Sequence, residues 1–422
     1  MKKIQIERIN EIVYEHELPN GFKIYIWPYK MVSDIYLTLT IKYGSIDTTF
    51  ELNNKKMNVP NGMAHFLEHI KFNEEGTTAH EYFYKLGSYT NAYTTFDHTS
   101  YEVMCNNNVK DNLNHLLYFV TNNYFTKELI NKEKPIIIEE TKMTKDNPYN
   151  EGYFELLNSL FNNDNHKYLV TGEEEDIKNI TIEDAQNVFE AFYTPNNMFL
   201  TVTGNVNPYE IIKICEEFFE NSNNNEVNVK KINPKENKKV NKKESIIYTN
   251  VTKEKLFYGV KIDRKRFKEF DDLHLRIYLN IMLDINFGQT SSFNEHIINN
   301  HLADDLSYTV MLNKDYAILI FESSSSYPKE MIKLLNEKLD NLEFSKEDFE
   351  RKNRVYIASG ILGYEDAFDV NNEIRNNIIR YNKIINNIPS IFENLKISDG
   401  KFIVNNIGKE RCYVILKPKK KK

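Results

Sequence analysis

Apolar and polar residues alternate along FKIYIWP (22–28) and DIYLTLTIKYG (34–44) with the two-residue period of a β-strand. Around HFLEH (65–69), and again in DDLHLRIYLNIML (271–283), the apolar positions recur at the three- and four-residue steps of a helix. Farther along, MFLTVTGNVNPYEIIKICEEFFENS from residue 198 parallels YAILIFESSSSYPKEMIKLLNEKLDNL from residue 316. Each reads as a β-run, a polar turn with proline and an amphipathic helix, which predicts two copies of one α/β unit. YGVKI (258–262) followed by the 271–283 helix repeats the strand-then-helix start of the first copy, without HFLEH.

Between the copies lies NSNNNEVNVKKINPKENKKVNKKES (221–245), almost wholly polar and unable to bury a face. The expected organisation is a metal-bearing domain over 1–220, a linker over 221–245 and a second domain without a metal site over 246–422. A chain of 422 residues with 41% hydrophobic content supports two packed cores of ordinary size.

A net charge of −7 and a pI near 5.9 supply no electrostatic footprint for nucleic acid. The first twenty-one residues lack the apolar run of a secretory signal, and no stretch is apolar enough to span a membrane. Cys105, Cys215 and Cys412 are sparse and unpaired in spacing, as in a reducing compartment. A cytoplasmic enzyme is expected. The terminal KPKKKK reads as a solvated basic tail.

HFLEH spells H-x-x-E-H, the reversed zinc-protease helix signature. Histidines four apart on a helix lie one above the other, and Glu68 projects from the same side. Zinc takes imidazole nitrogens at about 2.0–2.1 Å and, in catalytic sites, uses three protein ligands and a water. Such a water is acidic near neutral pH, and Glu68 is the natural carboxylate to take its proton. Spaced otherwise, His65 and His69 would read as ordinary half-buried helix residues. One helix cannot surround the ion, so a third ligand must come from elsewhere. In EKPIIIEETKMTKDNP (133–148), Glu133 and Glu140 are seven apart and share a helix side, while Glu139 points about 100° away from Glu140.

HFLEH followed by an E-(x)6-E pair that begins 64 residues after His69 (133 − 69) resembles the M16 family of zinc metallopeptidases, the pitrilysin, insulysin and mitochondrial-processing-peptidase group. GSYTNAYTTFDHTSYEV (87–103) and FYTPNNMFLTVTGNV (192–206) are similar to further stretches of that family, in the same order. The likeness runs from residue 15 to 210 and continues more weakly through GQTSSFNEHIINNHLADDLSYTV (288–310), most like the family's small bacterial YmfH-type members.

The resemblance implies an α+β fold of two similar halves, each a mainly antiparallel sheet with helices packed on one face, enclosing a chamber that admits unfolded peptides. It implies one zinc ion per chain held by His65, His69 and Glu140, with Glu68 as base and Glu133 supporting the ligands. A peptide would add as a strand beside Asn91 and Ala92, and Tyr308 would approach the scissile carbonyl. Asn91 read alone fits a turn residue, and Tyr308 a core aromatic. Many active members carry an arginine directly after the S-S pair, where this chain has Phe293. Zinc-dependent hydrolysis of unfolded peptides is therefore the expected activity, with a homodimer or a heterodimer with a second M16-like subunit as the expected assembly. The alternatives are the zinc-bearing or non-catalytic subunit of a two-chain peptidase, and an enzyme dedicated to one peptide such as a leader.

Overall fold

The computed structural model describes residues 1–220 and 227–419. The chain forms two compact units, each assembled from three segments. The first takes 1–141, 169–233 and 360–389; the second takes 142–168, 234–359 and 390–422. The expected division at 221–245 is therefore crossed twice, by 142–168 and by 360–389.

The first unit is organised on a seven-stranded sheet of β1 (Lys2–Gln5), β2 (Ile12–Glu17), β3 (Lys23–Pro28), β4 (Ile35–Ile41), β5 (Tyr89–Thr94), β6 (Thr99–Cys105) and β7 (Met198–Gly204). Their lateral order is β1-β2-β3-β7-β4-β6-β5, antiparallel except where β7 runs parallel to β3. One face carries Ile24, Ile26, Leu37, Leu39, Tyr101 and Val103, packed with Phe66 and Leu67 of α1 (Met63–Lys71) and Leu116 of the 109–121 helix. Each such side chain contributes about 1.5–3 kcal/mol by leaving water. The opposite face presents Tyr25, Trp27 and Phe199 to Val370, Ile374 and Ile378 of the Ala367–Tyr381 helix. Thr38 donates to Asn371 Oδ1 at 2.8 Å and Thr203 to the Ala367 carbonyl at 2.7 Å, fixing that helix to the sheet. Cover on both faces explains why β3 reads almost continuously apolar, as Ile-Tyr-Ile-Trp.

The second unit holds a five-stranded sheet of β8 (Glu244–Thr249), β9 (Lys255–Asp263), β10 (Ser307–Leu312), β11 (Tyr316–Ser324) and β12 (Glu410–Pro418), in the order β8-β12-β9-β11-β10. It repeats β3-β7-β4-β6-β5 strand for strand, including the single parallel pair, β8 with β12. The internal repeat is real, but its alignment differs from the sequence expectation. β11 and the helix after it, Pro328–Asp340, correspond to β6 and Val109–Thr121, not to β7 and the helix that follows it. Strand, polar turn and helix recur at both places, and only strand pairing distinguishes them.

Residues 221–226 of the expected linker, and 420–422 of the basic tail, lie outside the described residues. The remainder of the linker is structured. Val229–Lys231 pairs with Thr49–Leu52 in the first unit, and Glu236 accepts from Lys261 Nζ at 2.7 Å in the second, both side chains 2% exposed.

Candidate metal centre

Helix α1 starts at Gly62, whose φ of 81° is left-handed and whose missing Cβ leaves room for the Thr171 carbonyl and Gly172. Met63, Phe66, Leu67 and Ile70 seal its inner face into the core. At its C-terminal end the buried Lys71 ammonium donates to the Asn122 carbonyl and lies 4.1 Å from the Phe189 ring centroid and 5.1 Å from that of Phe125. Thus anchored, the helix holds His65 and Glu68, each 7% exposed, and the half-buried His69 on one side.

The 20-residue helix Lys127–Asp146 carries Glu133 and Glu140 two turns apart. Glu140 Oε1 lies 3.5 Å from His65 Nε2, and Glu140 Oε2 lies 3.3 Å from His69 Nε2. One ligand atom from each of the three falls within 4.8 Å of the others. Tetrahedral ligands at about 2.05 Å from one ion stand about 3.3 Å apart, and the two Glu140 oxygens lie at 3.5 and 3.3 Å from the two imidazoles, so a small closing of the three side chains places them around one metal. Two nitrogens and a carboxylate oxygen are also a donor set that suits zinc.

Supporting contacts surround this triad. Glu133, 6% exposed, sets Oε2 at 3.6 Å from His69 Nδ1, and Asn73 Nδ2 donates both to the His69 carbonyl (3.1 Å) and to Glu133 Oε1 (3.5 Å). Thr94, the last residue of β5, donates its hydroxyl to Glu68 Oε2 at 2.6 Å. Burial raises the Glu68 pKa above its ordinary value, against the pull of His65, Thr94 and His69. The hydrogen bonds from His65 and His69 hold Glu140 well below the usual carboxylate range. Burial lowers the His69 pKa, but Glu133 and Glu140 outweigh it and bring it to about 9.

The predicted residues His65, Glu68, His69, Glu133 and Glu140 thus converge. Asn91, exposed, and Ala92, half-buried against the core, lie on β5, an edge strand of its sheet. Tyr308 belongs to β10 of the second unit, where its hydroxyl donates to Asp284 at 2.5 Å; Tyr356 donates to the other Asp284 oxygen at 2.8 Å. Burial and Asp284 push the Tyr308 pKa up. Phe293 is 8% exposed and packs on Phe287, ring centroids 5.2 Å apart. Sequence reasoning missed Thr94 and Asn73. Thr94 sits inside the motif stretch 87–103, but no spacing rule predicts its contact with Glu68 across the fold.

Residues 33–172 match the sequence model described as Insulinase (Peptidase family M16), and residues 179–355 match that described as Peptidase M16 inactive domain. The chain is 33% identical over 309 residues to the uncharacterized zinc protease YmfH of Bacillus subtilis (strain 168), covering 72% of each protein. The chain belongs to peptidase family M16. Among solved structures, one assigned as an M16-like peptidase from Alicyclobacillus acidocaldarius superposes with a TM-score of 0.92 at 22% identity, covering 99% of this chain and 100% of that one. A protease from Helicobacter pylori superposes with a TM-score of 0.80 at 22% identity, over 96% and 99%. These two likenesses speak to the fold, which is the two-domain α+β fold of M16. Among the described residues no helix is long and apolar enough to cross a membrane.

Proposed function

We propose that this M16 chain is a zinc-dependent endopeptidase of unfolded peptides, with one ion per chain held by His65, His69 and Glu140. The observation that carries the reading is the approach of those three ligand atoms to within 4.8 Å beside the buried Glu68. When bound, zinc supplies Lewis acidity, bringing the pKa of a coordinated water to about 7 and polarising a carbonyl. Glu68 takes the proton of the attacking water and passes it to the leaving amine. Thr94 holds Glu68 Oε2, which leaves Oε1 as the oxygen to take the proton. Glu133 Oε2, 3.6 Å from His69 Nδ1, favours the proton on that nitrogen and so keeps the Nε2 lone pair for the metal. Asn91 and Ala92 lie along the β5 edge, where an extended peptide adds main-chain hydrogen bonds with little regard to sequence. A role for Tyr308 toward the scissile carbonyl rests on the family resemblance, and requires its hydroxyl to leave Asp284.

Three buried, unpaired cysteines suit a reducing compartment such as the cytoplasm. A second reading, that the chain is the zinc-bearing subunit of a two-chain peptidase, is favoured by Phe293, an apolar core residue where many active members carry arginine. It predicts poor cleavage by the isolated chain and a gain on adding an arginine-bearing partner.

The test of the first reading is Glu68→Gln. It is expected to retain one zinc by metal analysis while hydrolysis falls by at least about 100-fold. Turnover at the wild-type rate would remove Glu68 as the base.

A further inference from the structure

Strand β5 has Thr94, the partner of Glu68, at one end and Tyr89 at the other, five residues away (94 − 89) or about 17 Å of extended chain. Beside Tyr89 opens a groove of about 320 Å³ whose lining includes Asp34, Tyr84, Tyr89, Met104 and Asn106. Its three largest apolar residues are exposed: Tyr84 by 84%, Tyr89 by 62% and Met104 by 38%. Tyr89 and Met104 are direct cross-strand partners on β5 and β6, so the two side chains share one face of the sheet margin. Such a cluster of large exposed apolar side chains marks a contact surface.

The occupant follows from the edge itself. A strand added to β5 advances one residue for each residue of β5, so a peptide whose reacting bond lies beside Thr94 and Glu68 brings the residue about five positions away to Tyr89. The groove is at the small end of ligand pockets, which begin at about 300 Å³, and suits one large side chain. Two tyrosine rings present flat apolar surface. Methionine adapts to differing shapes, and Asp34 on the rim disfavours an acidic residue.

We propose that this groove is a distal specificity subsite, taking an aromatic or long aliphatic side chain of the peptide substrate about five residues from the cleaved bond. The subsite rests on the endopeptidase reading above. It makes cleavage depend on a residue remote from the reacting bond.

The experiment uses the zinc-loaded full chain and two peptide sets. Short peptides extend three residues to either side of the cleaved bond. Long ones extend seven, with Phe, Ser or Glu placed fifth from that bond on one side or the other, and cleavage positions are read by mass spectrometry. On one side, Phe is expected to lower KM about tenfold relative to Ser, with Glu the worst of the three. In Tyr84→Ser and Met104→Ser that Phe/Ser ratio is expected to collapse toward one. Equal KM for Phe and Ser on both sides, or a ratio unchanged in both variants, overturns the subsite. If the short peptides are meanwhile cleaved in a chelator-sensitive way, the endopeptidase reading survives that result. Failure to cleave either set, both alone and with an arginine-bearing partner subunit added, overturns both.

Discussion

Around Glu68, the Thr94 hydroxyl decides which carboxylate oxygen remains to receive a proton. Hydrogen bonds to charged groups contribute about 1.5–3 kcal/mol, so Thr94→Val is expected to lower kcat about tenfold or more while leaving bound zinc unchanged; loss of zinc instead would make Thr94 a structural support of the metal site. Glu133→Gln weakens the hold on His69 and is expected to cost about 10- to 100-fold in zinc affinity by competition with a chelator. Glu140→Gln should cost more, because it removes a ligand. Unchanged affinity there would move the third ligand to Glu133 or Glu139. Helical spacing made His65, Glu68 and His69 legible in the sequence as one cluster, whereas Glu133 and Glu140 shared a helix side but took their places at the metal only from the resemblance to M16. Thr94 and Asn73 were not legible, because their contacts depend on how a hairpin and a loop fold back onto those helices.

At the scale of elements, the position of α1 depends on a backbone shape that only glycine adopts cheaply. Gly62 has φ of 81°, and any Cβ there would strike the Thr171 carbonyl. Gly62→Ala is expected to destabilise the fold by about 2 kcal/mol or more, read as a lower denaturant midpoint. It should also loosen zinc, because the helix carrying His65 and His69 shifts with its N-terminus. The strand β4 was legible from alternation and α1 from its period, while β3, expected to alternate, is a nearly unbroken apolar run because both its faces are covered. The Ala367–Tyr381 helix was not assigned to the first sheet, because its apolar face matches any core and its destination is set by pairing residues such as Thr38 with Asn371. The same limit misaligned the repeat: β7 and β11 share a local pattern but take different places in their sheets.

Across the molecule, buried carboxylates of the second unit tie stability to pH. Lys261 and the backbone N–H groups of Asn162, Asn163 and Asp164 outweigh the burial that would raise Glu236, and hold its pKa below the ordinary value. Asp164 is likewise lowered, with His166 and Tyr316 outweighing burial. Because the folded pKa values lie below the unfolded ones, which are about 4.3 for Glu and 3.9 for Asp, these carboxylates stabilise the fold above that range. Their contribution is lost as pH falls through the lowered folded values. Thermal unfolding should therefore shift steeply downward below about pH 4. Glu236→Gln should cost about 3 kcal/mol at pH 7 and flatten the acid slope; an equally steep slope in that variant would assign acid sensitivity elsewhere. The polar segment containing Glu236 read as a spacer because composition cannot reveal that one of its charges is buried against Lys261.

The central claim, that His65, His69 and Glu140 share one ion which Glu68 uses to cut peptides, is tested most directly by incubating the purified chain with an unfolded peptide library. Cleavage is expected with zinc present, is expected to stop when a chelator strips the metal, and should return on adding one equivalent of zinc per chain. Cleavage indifferent to the chelator, or none from a chain carrying its full equivalent of zinc with or without a partner subunit, would contradict it.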